Sequence, residues 1–201
     1  MNLSIVERIY PDDDRVKPET IAHHKARYEF AARLFSGGRY LDLACGTGYG
    51  TDRIRQEGCE ATGVDTSAEA IEYARKHYPK CEFVQVDITG DIPLTRGFNM
   101  ITIFEAIEHL PFLPAVETIK KCKDLLLPDG YFILSTPNDT NDKYNTFHRS
   151  EWNYGTIKNI LGSYFLDVKI FGQDWDTAEI SDKNVRDNDF YIAVAKGWLK
   201  I

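Results

Sequence analysis

No apolar run in the 201 residues approaches the roughly 20 that a membrane-spanning helix needs. Met1 to Tyr10 also lacks the basic-then-apolar pattern of a secretory leader, so the expectation is a cytoplasmic protein that engages no membrane. The four cysteines, Cys45, Cys59, Cys81 and Cys122, include no Cys-x-x-Cys pair. That argues against a zinc knot or a disulfide framework and for reduced, mostly buried thiols. A linker rich in proline, glycine or serine is missing, as are internal repeats and low-complexity tracts. One domain over 1–201 is therefore expected, with 1–18 as an irregular arm. The arm carries Asp12-Asp13-Asp14 and has two readings, a lid over a ligand or a solvated terminus. Basic charge is short as well: a net charge of −7 disfavours an extended nucleic-acid surface and favours a small-molecule or carbohydrate acceptor.

What is present is a regular alternation. Apolar runs at 39–45, 60–65, 81–87, 98–104 and 131–136 are separated by helical stretches near 49–57, 67–78 and 112–127. Such spacing predicts right-handed βαβ crossovers and a mostly parallel sheet covered on both faces. A helix over 19–35 precedes the first strand, and a helix near 151–164 follows the fifth. Runs at 166–171 and 190–198, with only polar sequence between them, predict a closing antiparallel hairpin. Asp129-Gly130 is expected to turn the chain into the fifth strand.

The first strand runs into Ala44-Cys45-Gly46-Thr47-Gly48-Tyr49-Gly50, a turn where glycines let a ligand lie against the backbone. A helix starting near Tyr49 points its unpaired N–H groups and positive dipole end into the same space. A dinucleotide pattern would need a glycine at position 51, where this chain has Thr51. Tyr154-x-x-x-Lys158 has a dehydrogenase-like spacing but falls after the fifth strand, so we regard it as coincidence. Ligands of open α/β sheets bind beyond the carboxyl ends of the strands, which selects Asp65, Asp87 and Glu105. Asp65, nineteen residues after Gly46, is suited to both ribose hydroxyls or to capping the next helix. Asp87 is suited to an adenine amine or to a strand-end turn.

The ordered set Leu41-Asp42-Leu43-Ala44-Cys45-Gly46-Thr47-Gly48, Gly63-Val64-Asp65, Val86-Asp87-Ile88, Glu105 to Leu110 and Leu127-Pro128-Asp129-Gly130 resembles the motifs of class I S-adenosylmethionine-dependent methyltransferases. The resemblance covers about residues 20 to 200. It implies a doubly wound α/β sheet of seven strands with the last antiparallel. It also implies that Asp42 and the 44–48 backbone hold the methionine part of S-adenosylmethionine, Asp65 the ribose, and Asp87 with Ile88 the adenine. Tyr28, Tyr49, Thr66 and Phe104 join that cofactor set.

Glu105, Glu108 and His109 stand at i, i+3 and i+4, so a helical turn after the fourth strand would put them on one face. The loop Thr146-Phe147-His148-Arg149-Ser150-Glu151-Trp152 leaves the same sheet edge and can return His148 to them. Two carboxylates and two imidazoles make a site for Mg²⁺ or Mn²⁺. The other reading is metal-free, with Glu105 and His109 in the active site, a Glu108–His109 ion pair or cap, and His148 bonded to loop backbone. Glu-x-x-Glu-His with a later histidine resembles metal-dependent small-RNA 2′-O-methyltransferases, and Glu-x-x-Glu-His recurs in ubiquinone-pathway O-methyltransferases. The bacterial methyltransferases of surface-sugar gene clusters look closer over 20–173, through His24-x-x-Arg27-Tyr28 and Phe147-His148-x-x-Glu151. The function expected is O-methylation of a hydroxyl. A non-catalytic S-adenosylmethionine-binding module and an RNA-end methyltransferase are the alternatives. His23 and His77 are expected to be solvated, and Trp175 and Phe171 either to stack on a sugar or to pack.

Overall fold

The apolar runs pair into one eight-stranded sheet in the computed structural model, which describes residues 9–10, 16–138 and 147–198. α1 (Pro18–Leu34) opens with proline in its first turn, where the missing N–H would be unpaired anyway. β1 (Arg39–Leu43), α2 (Tyr49–Arg55), β2 (Glu60–Asp65), α3 (Ala68–His77), β3 (Glu82–Gln85) and β4 (Phe98–Phe104) follow. Next come α4 (Phe112–Leu125), β5 (Leu126–Pro137), α5 (Tyr154–Gly162), β6 (Phe165–Gln173), β7 (Ile180–Ser181) and β8 (Phe190–Trp198). The order across the sheet is β3-β2-β1-β4-β5-β8-β6-β7, with β8 antiparallel to both β5 and β6.

Two expectations change in detail. The sheet has an eighth strand because Ile180 and Ser181 pair with Gln173 and Gly172 at its edge. Asp129-Gly130 does not precede the fifth strand but lies within it. Phe98 pairs with Leu126 whereas Met100 pairs with Tyr131, so the extra residues bulge out. Gly130 suits that bulge, since a Cβ there would come within 3.1 Å of two backbone oxygens.

Side chains on the central strands alternate between two buried faces. Leu41, Leu43, Ile101, Ile103, Phe132 and Leu134 pack with Ile119 and Cys122 of α4 and Ile157 and Leu161 of α5. Tyr40, Met100, Ile133 and Ile192 pack instead with Tyr28, Ala31 and Ala32 of α1 and Ile54 of α2. Each such large apolar side chain contributes about 1.5–3 kcal/mol by leaving water. The four cysteines are free thiols, three of them buried.

This double winding positions the site. From β1 the chain crosses toward β2, and from β4 it crosses toward β5 on the other side, leaving a crevice at the carboxyl ends of β1 and β4. The residues that leave those two strands, Ala44 (φ 58°) and Glu105 (φ 49°), are both left-handed without being glycine. Such a conformation costs about 1–2 kcal/mol per residue, and side chains held that way cluster at functional sites.

Candidate functional site

The glycine turn does two different jobs. Gly46 (φ 54°) faces open space, with no atom within 4 Å of where a Cβ would stand. Its N–H donates to Asp65 Oδ2 at 3.0 Å. Gly48 (φ 82°) faces inward: a Cβ would lie 2.7 Å from the Phe83 ring and 2.8 Å from Ala74. Packing against Phe83 and Ala74 is therefore one reason for glycine here, which the sequence reading did not give.

Asp42 also differs from that reading. It is fully buried beneath the turn and accepts hydrogen bonds from Thr51 Oγ1 (2.7 Å), Thr102 Oγ1 (2.8 Å) and Tyr28 Oη (3.2 Å). Burial pushes its carboxyl up to about 6, against the pull of those hydroxyls. Thr51, which breaks the dinucleotide pattern, is thus one of its donors.

Above this floor lies a cavity of about 460 Å³, within the usual range for small-molecule sites. Asp42 and Gly48 do not line it. Ala44, Gly46, Asp65 and Thr66 form one wall, Asp87 and Ile88 the far end, and Tyr28, Tyr49 and Phe104 the side toward α1 and α2. Asp65 accepts from Gly46 N at 3.0 Å and Ser67 N at 2.9 Å. The cap of α3 is supplied by Ser67, whose hydroxyl accepts from Ala70 N. Asp87 Oδ1 accepts from the Thr89 N–H and hydroxyl, which hold its carboxyl below the usual range. Ile9 lines the cavity as well, and its carbonyl accepts from Thr47 Oγ1 at 2.7 Å. The remainder of the proposed lid, 1–8 and 11–15, lies outside the described residues.

Sequence reasoning placed Tyr28 of α1 at the site and quoted Arg27 only as part of a motif, without a role. Arg27 is buried and lines the cavity; its Nε donates to Gln173 Oε1 at 2.8 Å and its Nη1 lies 3.5 Å from Glu105 Oε1. Neither Nη1 nor Nη2 makes a hydrogen bond among the described residues, and the same holds for the covered hydroxyl of Tyr49. His23, expected to be solvated, is buried against Trp175 instead. His77 is exposed as expected, stacked on Tyr73. Trp175 reaches the cavity, whereas Phe171 packs on Phe30 in the core.

The acidic and histidine residues after β4 separate into two groups. Because Glu105 is left-handed, the turn begins only at Ile107, as a 3-10 helix over Ile107–His109. Glu105 is therefore not on a shared helical face; it accepts from Ser135 Oγ at 2.8 Å and pairs with Arg27. Glu108, His109 and His148 do converge, with one ligand-type atom of each within 4.8 Å of the others. The return of His148 is fixed by the Glu108 carbonyl, which accepts from Arg149 N (2.7 Å) and Ser150 N (3.2 Å). Thr146 of that loop lies outside the described residues. His109 Nδ1 donates to the Phe147 carbonyl at 3.4 Å, which leaves the lone pair on Nε2. Burial first, and then the charge of Glu105, push the Glu108 carboxyl well above the usual range. Among the described residues, no helix is long and apolar enough to cross a membrane.

Comparisons with known proteins agree with this geometry. A probable S-adenosylmethionine-dependent methyltransferase of Mycobacterium tuberculosis (strain H37Rv) is 28% identical over 174 residues, 83% of this chain and 62% of that protein. A ubiquinone biosynthesis O-methyltransferase of Xanthomonas oryzae pv. oryzae is 35% identical over 117 residues, 55% of this chain and 48% of that protein. The chain thus spans less than two thirds of the length of these curated relatives. The N-methyltransferase NodS of Bradyrhizobium japonicum WM9, solved with S-adenosyl-L-homocysteine, shares the fold at a TM-score of 0.70 and 18% identity, covering 92% of this chain and 89% of that one. The sequence model of the family described as "Methyltransferase domain" matches residues 17–174, from the arm before α1 to just beyond β6, and the chain belongs to that family.

Proposed function

We propose that the protein is an S-adenosylmethionine-dependent methyltransferase that O-methylates a sugar or other small hydroxyl compound, as its resemblance to the surface-sugar cluster enzymes implies, with the Mg²⁺ or Mn²⁺ assistance that its resemblance to the metal-dependent RNA enzymes implies. The observation that carries this reading is the continuity of one cavity from Gly46 and Asp65 to Glu108, His109 and His148. The residues fit the cofactor. The open space at Gly46 accepts the methionine part, Asp65 and Thr66 take the ribose hydroxyls, and Asp87 with Ile88 borders the adenine. The Arg27 Nη atoms and the Tyr49 hydroxyl, which make no hydrogen bond among the described residues, would supply donors for a carboxylate. They also fit a divalent cation, since one carboxylate and two imidazoles suit such ions and leave positions open.

S-adenosylmethionine, when bound, supplies an electrophilic sulfonium methyl, and the cation, when bound, supplies Lewis acidity. The chain does the rest. Tyr28, Tyr49 and Phe104 line the cavity and would hold the cofactor in a fixed orientation beside Glu108, His109 and His148. Alignment of this kind lowers a displacement barrier by removing orientational freedom in advance. An alcohol, with a pKa near the 15.7 or so of water, needs its proton removed. Where no cation is held, His109 Nε2 takes that proton; a cation held by Glu108, His109 and His148 would occupy that lone pair and would instead make the alcohol more acidic. Glu105 holds Arg27 in position. The test is transfer of labelled methyl from S-adenosylmethionine to hydroxyl acceptors, with and without chelator and in His109→Ala. Loss of transfer in His109→Ala supports the base role, and full activity in that variant refutes it. Indifference to chelation refutes the metal.

A further inference from the structure

The cavity has a second end, remote from Asp87, where α1 meets the segment after β6. His23 Nε2 lies 2.5 Å from the backbone carbonyl of Trp175. A carbonyl can only accept, so Nε2 carries the proton and the neutral ring keeps its lone pair on Nδ1. Nδ1 is buried and has no hydrogen-bond partner among the described residues, and His23 is one of the residues that line the cavity. Buried acceptors in folded proteins are almost always paired, so this one points to a ligand that donates.

The Trp175 indole stands over the same ring. Its centroid is 4.6 Å from that of His23, with the planes 32° apart, and 5.7 Å from that of Phe190, at 26°. The backbone is gripped on both sides, by His23 at the carbonyl and by Asp189 Oδ2 at the N–H, 2.9 Å away. Despite this grip the side chain is 42% exposed and lines the cavity. An aromatic plate held rigid with an open face is a stacking surface rather than core. Asp174 and Asp176 flank Trp175 in sequence and Asp189 accepts from its N–H, while the Arg27 guanidinium, 4.5 Å from the Phe190 centroid, is paired with Glu105. These carboxylates disfavour an anionic ring, and acceptors of this kind suit a ligand rich in hydroxyl donors.

We propose that His23 and Trp175 form the acceptor subsite, and that its ligand is a neutral polyhydroxylated ring of the pyranose class. The C–H face of the ring lies on the indole, and one hydroxyl donates to His23 Nδ1. The proposal rests on the methyltransferase reading above and narrows its acceptor to sugars. It assigns specificity to two residues that lie outside the methyltransferase motifs.

The test is ligand-observed NMR titration of the full chain saturated with S-adenosylhomocysteine. The probes are methyl glucoside, methyl galactoside and methyl rhamnoside, with catechol as the planar aromatic and choline as the cation. His23→Gln keeps a donor for the Trp175 carbonyl and removes Nδ1, whereas Trp175→Phe keeps a plate and Trp175→Ala removes it. At least one glycoside should bind, with affinity falling about tenfold in His23→Gln and in Trp175→Ala and surviving in Trp175→Phe. The S-adenosylhomocysteine dissociation constant should be the same in all four proteins, which also reports that each is folded. Binding of catechol or choline without any glycoside, or glycoside affinity indifferent to both His23→Gln and Trp175→Ala, overturns the proposal alone. Failure of the wild-type chain to bind S-adenosylhomocysteine overturns the methyltransferase reading and this proposal with it.

Discussion

Asp42→Asn separates a residue that binds ligand from one that supports the floor beneath it. Asp42 is fully buried, and burial raises its carboxyl from 3.8 to about 6 in the folded protein. The folded state therefore binds more protons than the unfolded one between those values, so its stability falls as pH rises through this window. The difference of about two units corresponds to about 3 kcal/mol, fully expressed above pH 6 or so and absent below about pH 4. About half of it accrues between about pH 5 and pH 7.5. The asparagine variant keeps the shape and acceptor oxygen but cannot ionise, so it removes this pH dependence. Urea unfolding of both proteins, followed by tryptophan fluorescence across that range, gives the difference directly. Wild type should lose about 1.5 kcal/mol relative to Asp42→Asn between about pH 5 and pH 7.5. A difference that stays flat would refute the account of Asp42 as a buried ionisable support. A large loss of S-adenosylmethionine affinity in this variant would restore it as a direct ligand.

The two glycines of the turn should respond in opposite ways. Gly48→Ala forces a Cβ to within 2.7 Å of the Phe83 ring at a left-handed position, and should cost at least about 2 kcal/mol in unfolding free energy. Gly46→Ala meets no protein atom within 4 Å and should cost about 1–2 kcal/mol of stability, while weakening cofactor binding at least tenfold in calorimetry. Manganese titration followed by electron paramagnetic resonance should show one site in the wild type. That site should be lost in Glu108→Gln and in His148→Ala but retained in Glu105→Gln, because Glu105 stands outside the converging group.

The mostly parallel sheet and the closing antiparallel hairpin were legible because alternating strands and helical stretches leave few topologies open, whereas the doubly wound sheet with its last strand antiparallel came from the resemblance to the methyltransferase motifs. The cavity wall was legible for the same reason: strand ends fall on one side, and Gly46, Asp65 and Asp87 all end or follow strands. The burial of Asp42 was not legible because a motif position does not say which way a strand residue points; it shares a face with Tyr40, under α1. Glu105 was misread because spacing assumes a helix, and the left-handed residue that leaves β4 delays the turn by two positions. His23 was hidden because α1 buries polar residues, His23 and Arg27, among its apolar ones, and their partners Trp175 and Gln173 come from about 150 residues away. No local pattern announces such a contact. A buried arginine whose Nη atoms make no hydrogen bond among the described residues becomes visible only once the chain is folded.

The central claim is that the cavity beside Gly46 and Asp65 is a methyl-donor site. Isothermal titration of the purified chain with S-adenosylmethionine tests it most directly. The account predicts saturable binding at a single site, weakened about tenfold or more in Asp65→Ala, with the loss of hydrogen bonds to the ribose. The absence of binding by the wild-type protein at millimolar cofactor would contradict it.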